Sequence, residues 1–547
     1  MAENTAQDIT KQLWDMANEL RGTMDASEFR NYILGFMFYR YLSEHQEKYL
    51  SDSQIVVPTG EQSFNNAYAQ AANGKDLPDY LEDIASHLGY AIEPDFTWAS
   101  VVEKVHTGTI KPSDYREMFE RFNKNAQINP NATADFRGIF ADMNLGNSRL
   151  GASTSDRSRN LGRVVEMIDK FNYKDESGHD ILGDVYEYLI AEFAGNSGKK
   201  AGEFYTPHPV SKVLAKLVTY KASHEGKFSV YDPTMGSGSL LLTVRDELVD
   251  GYKMGRVQFF GQEWNTTTFN LARMNLMMHG VEYQNMTLRN ANTLEDDWPS
   301  DDVNGIMHPR MFDAVVANPP YSAKWENDSD KLKDPRFKDY GKLPPKNTAD
   351  YAFVLHSLYH LNNHGTMAIV LPGGVLFRST GGEGVIRKNL IQKNKIDAVI
   401  ALPGRMFYST DIETVVVVFK KNRENKDILF VDASKDFEKN GNRNQLTDKN
   451  IDKILGAYVS RSDIGKYAHL ASYDEIEDND FNLSVSRYVD TFEEEPPVDA
   501  VQLLQDMKQL EGEEHKLRTE ITDEMRQLVG IDSESKDYLD ILKQVLK

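Results

Sequence analysis

The chain has 547 residues, enough for roughly two to four domains with sizeable cores. Its 84 Asp and Glu against 62 Lys and Arg leave a formal net charge of −22, a poor balance for holding nucleic acid unaided, because phosphate contacts need clustered cations. There is no cysteine, which excludes disulfides and thiolate metal sites. The first residues, Met1 to Asp8, are polar, and no later run reaches the roughly 18 apolar residues of a membrane span. A soluble, cytoplasmic protein with no membrane association is expected.

Residues 1–170 carry a helical pattern. Ile9, Leu13, Trp14, Ala17 and Leu20 recur at the helix period until Gly22 interrupts. Asp25 or Ser27 can cap a second helix whose apolar face includes Phe29, Ile33, Met37 and Tyr41. More helices follow, separated by polar loops such as residues 144–159. No chemistry is visible here, and the region reads as a helical scaffold or partner-binding domain.

Residues 171–480 alternate short β-branched strands with helices. Strands are expected at 228–231, 257–262, 312–317, 367–371, 396–402 and 414–419, with helices at 237–248, 267–279 and 350–362. This alternation predicts an α/β fold with a doubly wound, mostly parallel sheet. In such a sheet, ligands bind outside the carboxyl ends of the strands. His356 and His360 share a helix face without the intervening Glu of a zinc hydrolase, so packing and no metal site is expected. From residue 481 the chain changes again. Glu493 to Pro497 looks like a linker, and 498–529 reads as a long charged helix. Its Leu503, Met507, Leu510, Leu517, Ile521 and Leu528 follow a heptad that Glu514 and Glu524 interrupt, as in a helix that pairs with a partner or packs on its own protein.

The chemistry-bearing residues fall at the ends of the expected strands. Strand 228–231 runs through Asp232-Pro-Thr-Met-Gly236-Ser237-Gly238-Ser239 directly into a helix. Two glycines permit a tight turn and close approach of a ligand, and the following amides rim a helix N-terminus. It is not the dinucleotide fingerprint, because the third glycine position is Leu241, and no P-loop lysine follows. What remains is a loop for a nucleoside carrying an amino acid, where Asp232 can take an ammonium. The next strand ends in Glu263, placed to accept the hydroxyls of a ribose unless it is a plain surface carboxylate. Asn292, two residues after Asn290, can meet the edge of an adenine. Upstream, Thr206 can cap a helix that starts at Pro207. The functional reading of Glu203-Phe204-Tyr205-Thr206-Pro207-His208 adds contacts around the methionine moiety of a cofactor.

The apolar run 312–317 ends in Asn318-Pro319-Pro320-Tyr321. An exocyclic amino group on a purine or an amide is a poor nucleophile, because its lone pair is delocalised. Acceptors aimed at its N–H bonds, the Asn318 side-chain oxygen and the Pro319 carbonyl, localise that lone pair. The prolines stiffen the backbone that carries them, and Tyr321 can lie against a planar substrate. The alternative is a strand-ending turn.

Taken in this order, residues 203–208, 232–239 and 318–321 resemble the amino-methyltransferases that use S-adenosylmethionine. More narrowly, Leu13-Trp14, Leu20-Arg21-Gly22, residues 182–188 and residues 198–207 resemble the modification subunit of type I restriction–modification systems. The resemblance implies a Rossmann-like catalytic domain at 171–480, an all-helical N-terminal domain at 1–170 and a C-terminal helical partner-binding tail at 481–547. It implies methylation of adenine N6 in double-stranded DNA, with the base flipped into the site. It also implies a separate specificity subunit, typically one per two modification subunits, and a restriction subunit that can join. Phe407 or Tyr408 can be a second aromatic against the base, or simply pack under a loop. Residues 324–346, with seven Lys or Arg against five Asp or Glu, can form a DNA-side lid or a mobile solvated loop. A protein-glutamine or RNA methyltransferase, and a non-enzymatic assembly subunit that binds the cofactor, are the rival readings.

Overall fold

The computed structural model describes residues 6–21, 24, 26–174, 181–196, 205–222, 226–248, 255–295, 299–321, 323–407, 411–441, 443–491, 500–528 and 532–545. The chain divides into two compact units, Met1–Asp490 and Thr491–Lys547.

The first unit begins with α1 (Ala6–Arg21), α2 (Ala26–Asp52), α3 (Phe64–Ala71), α4 (Leu77–Leu88), α5 (Trp98–His106), α6 (Pro112–Asn125), α7 (Thr133–Phe136), α8 (Thr154–Asp169) and α9 (Leu182–Asn196). The expected apolar stripes are the faces that pack: Ile9, Leu13 and Ala17 of α1 and Phe29, Ile33 and Met37 of α2 are buried. Both helices lie against α8 and α9. Gly22 and Asp25 fall outside the described residues. The polar stretch at 144–159 is not all loop. Ser153 Oγ accepts from the Asp156 amide, whose carboxylate returns to the Ser153 amide, and this capping box starts α8 at Thr154.

The sheet-bearing part adds α10 (His208–Thr219), β1 (Phe228–Asp232), α11 (Ser239–Glu247), β2 (Val257–Glu263), α12 (Thr266–Met278), β3 (Met286–Asn290), β4 (Ser300–Val303), β5 (Ile306–Pro309), β6 (Phe312–Ala317), α13 (Asp350–Tyr359) and β7 (Leu361–Pro372). It continues with α14 (Glu383–Gln392), β8 (Ile396–Ala401), β9 (Thr414–Phe419), β10 (Ile428–Asp432), β11 (Glu438–Asn440), β12 (Arg443–Gln445), α15 (Asp448–Ser460), β13 (Ala468–Ala471) and α16 (Tyr473–Asp478). One nine-stranded sheet has the order β13-β10-β8-β9-β7-β6-β1-β2-β3. Strands β7, β6, β1, β2 and β3 run parallel to one another and β10 runs parallel to β8, whereas β9 is antiparallel to both β7 and β8 and β13 is antiparallel to β10. All six expected strands are present. Edge strand β3 alternates polar and apolar residues, with only Met286 buried, so it lacks a continuous apolar run. The hairpin β4–β5 turns on Asn304 and Gly305, both at positive φ, the signature of a tight primed turn. The expected helix 350–362 stops at Tyr359, because Leu361 already pairs with Phe312 in the sheet. An apolar run of this kind fits a buried helix or a buried strand equally well.

Both sheet faces are covered by apolar layers. Val230, Ala314 and Val316 meet α10, α11 and α12 on one face, while Tyr231, Phe312 and Val315 meet α13 and α14 on the other. Along the chain, β1, β2 and β3 step one way across the sheet and β6 and β7 step the other. Their carboxyl ends therefore diverge between β1 and β6, where an open α/β sheet offers its crevice. The body runs on to Asp490, since Phe481, Leu483, Val485 and Val489 are buried and Tyr488 stacks on Phe430 with ring centroids 3.9 Å apart.

The second unit holds α17 (Ala500–Gln527) and α18 (Ser533–Val545). No side chain of α17 is buried, and Leu503, Met507, Leu510 and Leu517 are all at least half exposed. Residues 493–497 lie outside the described residues. Among the described residues, no helix is long and apolar enough to cross a membrane.

Candidate active site

The turn after β1 is built by its own backbone. Asp232 Oδ1 accepts from the Thr234 amide at 2.8 Å, and the Met235 amide donates to the Gln262 carbonyl at 3.0 Å, tying the turn to β2. Gly236 and Gly238 have φ of 54° and 79°, the left-handed region that L side chains avoid. A Cβ on Gly238 would also lie 2.4 Å from Leu276 Cδ1, so glycine lets α11 start hard against α12. The hydroxyls of Ser237 and Ser239 are buried and 3.1 Å apart, and Asn275 of α12 donates to the Ser237 carbonyl. Their side chains hold the turn.

Asp232 is buried behind this turn, and burial pushes its carboxyl up to about 8 despite donation from Thr234. The ordinary value is 3.8, so the folded chain holds a proton there that the unfolded chain has lost. The residue's contribution to stability is complete below about pH 4 and is lost as pH rises through about 8. Asp232→Asn is expected to flatten the fall of the urea midpoint between about pH 5 and pH 8. An unchanged slope would remove the assignment.

Glu263 ends β2 and faces the turn. Its Oε2 accepts from the Gly236 amide at 3.2 Å and its Oε1 from the Asn265 amide at 2.8 Å. Burial raises its pKa against these backbone donors. A carboxylate has about four acceptor sites, so a pair of ribose hydroxyls can still be served. Asn290 is a staple for this segment, because its amide nitrogen donates to the carbonyls of Glu263 and Trp264. Asn292 Oδ1 accepts from the Leu294 amide, and its side chain borders the same space.

At the end of β6, the Asn318 amide nitrogen donates to Thr206 Oγ1 at 3.1 Å, and its Oδ1 accepts the Tyr321 hydroxyl at 2.9 Å. Thr206 was expected to cap a helix starting at Pro207. Instead α10 starts at His208 with Pro207 at the cap position, the Pro207 carbonyl accepts from Val210 and Ser211, and the Thr206 hydroxyl is left to Asn318. The side chain of His208 is exposed, Tyr205 is buried, and Glu203 and Phe204 fall outside the described residues. Tyr321 meets the edge of buried Phe407, with ring centroids 6.1 Å apart at 81°. Tyr408 lies outside the described residues. Residues 324–346 are no loose loop, since Trp325, Arg336 and Phe337 are buried within them.

A cavity of about 560 Å³ joins these pieces, a volume that suits a nucleoside-sized ligand. Gly236, Glu263, Asn292, Asn318 and Pro320 all border it. Three apolar surfaces that the sequence did not single out border it too: Trp264, 75% exposed, Phe353 of α13 and Pro233. A tryptophan directly after the strand-end Glu263 was the available signal. Glu28, Arg30 and Asn31 of α2 form another part of the wall, so the helical region reaches the site. It is held there by α12, where Arg273 donates to the carbonyls of Ala134, Asp135 and Arg137 and Asp142 accepts from Thr267 and Asn270.

Residues 177–496 match the family model described as N-6 DNA Methylase, and residues 9–168 match the HsdM N-terminal domain. The chain belongs to the N-6 DNA methylase family. Within that family it is similar to the type I restriction enzyme MpnII methylase subunit of Mycoplasma pneumoniae, at 36% identity over 94% of this chain and 95% of the relative. A solved type I restriction–modification methyltransferase subunit from Streptococcus thermophilus is 43% identical, with a TM-score of 0.81 over 89% of this chain and all of that one. A chain from a solved type I assembly, 18% identical with a TM-score of 0.60 over 96% of this chain, shares the fold. The sheet is thus that of an N-6 DNA methylase, Rossmann-like, with the helical N-terminal region of the type I subunits.

Proposed function

We propose that this chain transfers a methyl group from S-adenosylmethionine to adenine N6 in double-stranded DNA, as the modification subunit of a type I restriction–modification complex. The observation that carries this reading is the Asn318 amide, pinned by Thr206 and Tyr321 and bordering the same cavity as Gly236 and Glu263. S-adenosylmethionine supplies an electrophilic methyl group on a sulfonium that departs as a neutral thioether. Around it, Glu263 would hold the ribose, the Gly236–Ser239 backbone would hold the amino-acid end, and Asp232 would pair with the ammonium, which would favour its ionised form. Residues 205–208 would close the methionine end, and Asn292 with Trp264 would meet the adenine.

A base inside the duplex cannot reach this cavity, so the target adenine is flipped out. The Asn318 oxygen and the Pro319 carbonyl accept from its amino group, and the fixed loop holds the nitrogen in line with the methyl group. The ring of Tyr321 is held by the bond from its hydroxyl to Asn318 and by Phe407, ready to border the base. The spare proton leaves to solvent. Residues 1–170 serve as the second wall of the site, 171–490 as the catalytic domain and the remainder, from 491, as the tail that docks a partner.

The chain's acidity fits a division of labour in which a specificity subunit reads the sequence, two modification subunits join it, and a restriction subunit can add cleavage. The complex then works in the cytoplasm, with the DNA. The purified chain alone is expected to bind S-adenosylmethionine but to bind DNA weakly, with no preference among sequences in a gel-shift titration. Tight, selective binding by the single chain would count against this division. Methyl-group incorporation with the specificity subunit present, followed by mapping of modified adenines, tests the reaction itself.

A further inference from the structure

Gln262, the penultimate residue of β2, is fully buried yet borders the cavity beside Glu263. A chain of hydrogen bonds fixes which way its amide points. Arg336 Nη1 lies 3.1 Å from His356 Nδ1, His356 Nε2 lies 2.8 Å from the Tyr231 hydroxyl, and Tyr231 donates to Gln262 Oε1 at 2.6 Å. A guanidinium only donates, so Nδ1 accepts. Burial, then His360 and Arg336, holds the imidazole well below its ordinary pKa, so the ring is neutral and carries its proton on Nε2. That proton goes to the Tyr231 oxygen. The Tyr231 hydroxyl donates to Gln262, and the atom that accepts is the amide oxygen. Gln262 Nε2 is left buried and without a hydrogen-bond partner.

A buried amide nitrogen with no acceptor is costly, and it is tolerated where a ligand supplies the acceptor. The neighbours identify the ligand. Glu263 precedes Trp264 on one side, Asn292 and Thr293 lie on another, and Pro320 and Phe353 add flat apolar surfaces. These surround a planar heterocycle next to a ribose site. We propose that Gln262 reads the adenine of the cofactor, its Nε2 donating to one of the ring nitrogens. This rests on the cofactor reading given under Proposed function. Tyr231, His356 and Arg336 act through Gln262 and are positioning residues.

The test uses S-adenosylhomocysteine and its 1-deaza, 3-deaza and 7-deaza analogues, each lacking one ring-nitrogen acceptor, titrated calorimetrically into the full-length chain. One analogue is expected to bind at least about tenfold more weakly than the parent, the loss for a buried donor stripped of its acceptor. In Gln262→Met, and in Gln262→Met combined with Tyr231→Phe to avoid stranding the hydroxyl, that analogue and the parent should bind equally. The ratio is indifferent to an overall loss of affinity, and the first measurement needs no variant. Equal binding of all three analogues and the parent by the native chain overturns the proposal, as does an unchanged ratio in the variants. Failure of the parent compound to bind the native chain sinks the cofactor reading, and this assignment with it.

Discussion

Asn318→Ala is expected to lower methyl transfer by about a thousandfold, the scale seen when one preorganised hydrogen-bonding group is removed from a reacting centre. Binding of S-adenosylmethionine should change by less than about threefold, because in the proposed arrangement the substituted atoms serve the base and not the cofactor. The Asn318 oxygen accepts from Tyr321 and its nitrogen donates to Thr206, so its orientation is set before any substrate arrives. Removing the side chain takes away an acceptor for the substrate amino group and releases both partners. Asn318→Asp keeps the acceptor and loses the donation to Thr206, and should fall between the two. The measurements are incorporation of labelled methyl groups with the specificity subunit present, and calorimetry for the cofactor. Unaltered turnover in Asn318→Ala would move the chemistry to another site.

Glu263→Gln should weaken cofactor binding about thirtyfold, the range for losing hydrogen bonds to a charged partner. Both oxygens already accept backbone amides, from Gly236 and from Asn265. Replacing one oxygen by an NH₂ group sets a donor against a donor on one side and takes an acceptor from the ribose. The loss should appear in KM, with the rate at saturating cofactor within a few-fold of the native chain, since the ribose interaction is the same in ground and transition states. An affinity within threefold of the native chain would strip Glu263 of its role.

How far the sequence carried these assignments differs from residue to residue. The loops after β1 and β6 were legible because their chemistry is local: glycines that need positive φ, prolines that stiffen a strand end, an amide fixed in register by the apolar run before it. The six core strands were legible for a related reason, since a continuous β-branched run bounded by turns has few other uses. Edge strand β3 and the hairpin β4–β5 were not, because exposed strands lose the apolar signature. Thr206 was read as a helix cap from its place before Pro207, a local rule that its hydrogen bond to Asn318, across 112 positions of sequence, overrode.

Other parts of the site depend on partners far apart in the chain. Nothing in residues 1–170 announces chemistry, yet Glu28, Arg30 and Asn31 border the cavity because α12 draws the helical region against the sheet. Gln262 reads as one more polar residue until Tyr231, His356 and Arg336 are seen to line up behind it.

The sequence by itself determined the type of sheet, the two strand-end loops and the amide at the end of β6, because each follows from dihedral limits and side-chain chemistry within about ten residues. The tertiary structure alone decided which walls meet around those loops and which way each buried donor points. Hydrogen bonds between distant segments exist only once the chain has packed, and burial then makes each unmatched group costly enough to dictate its partner.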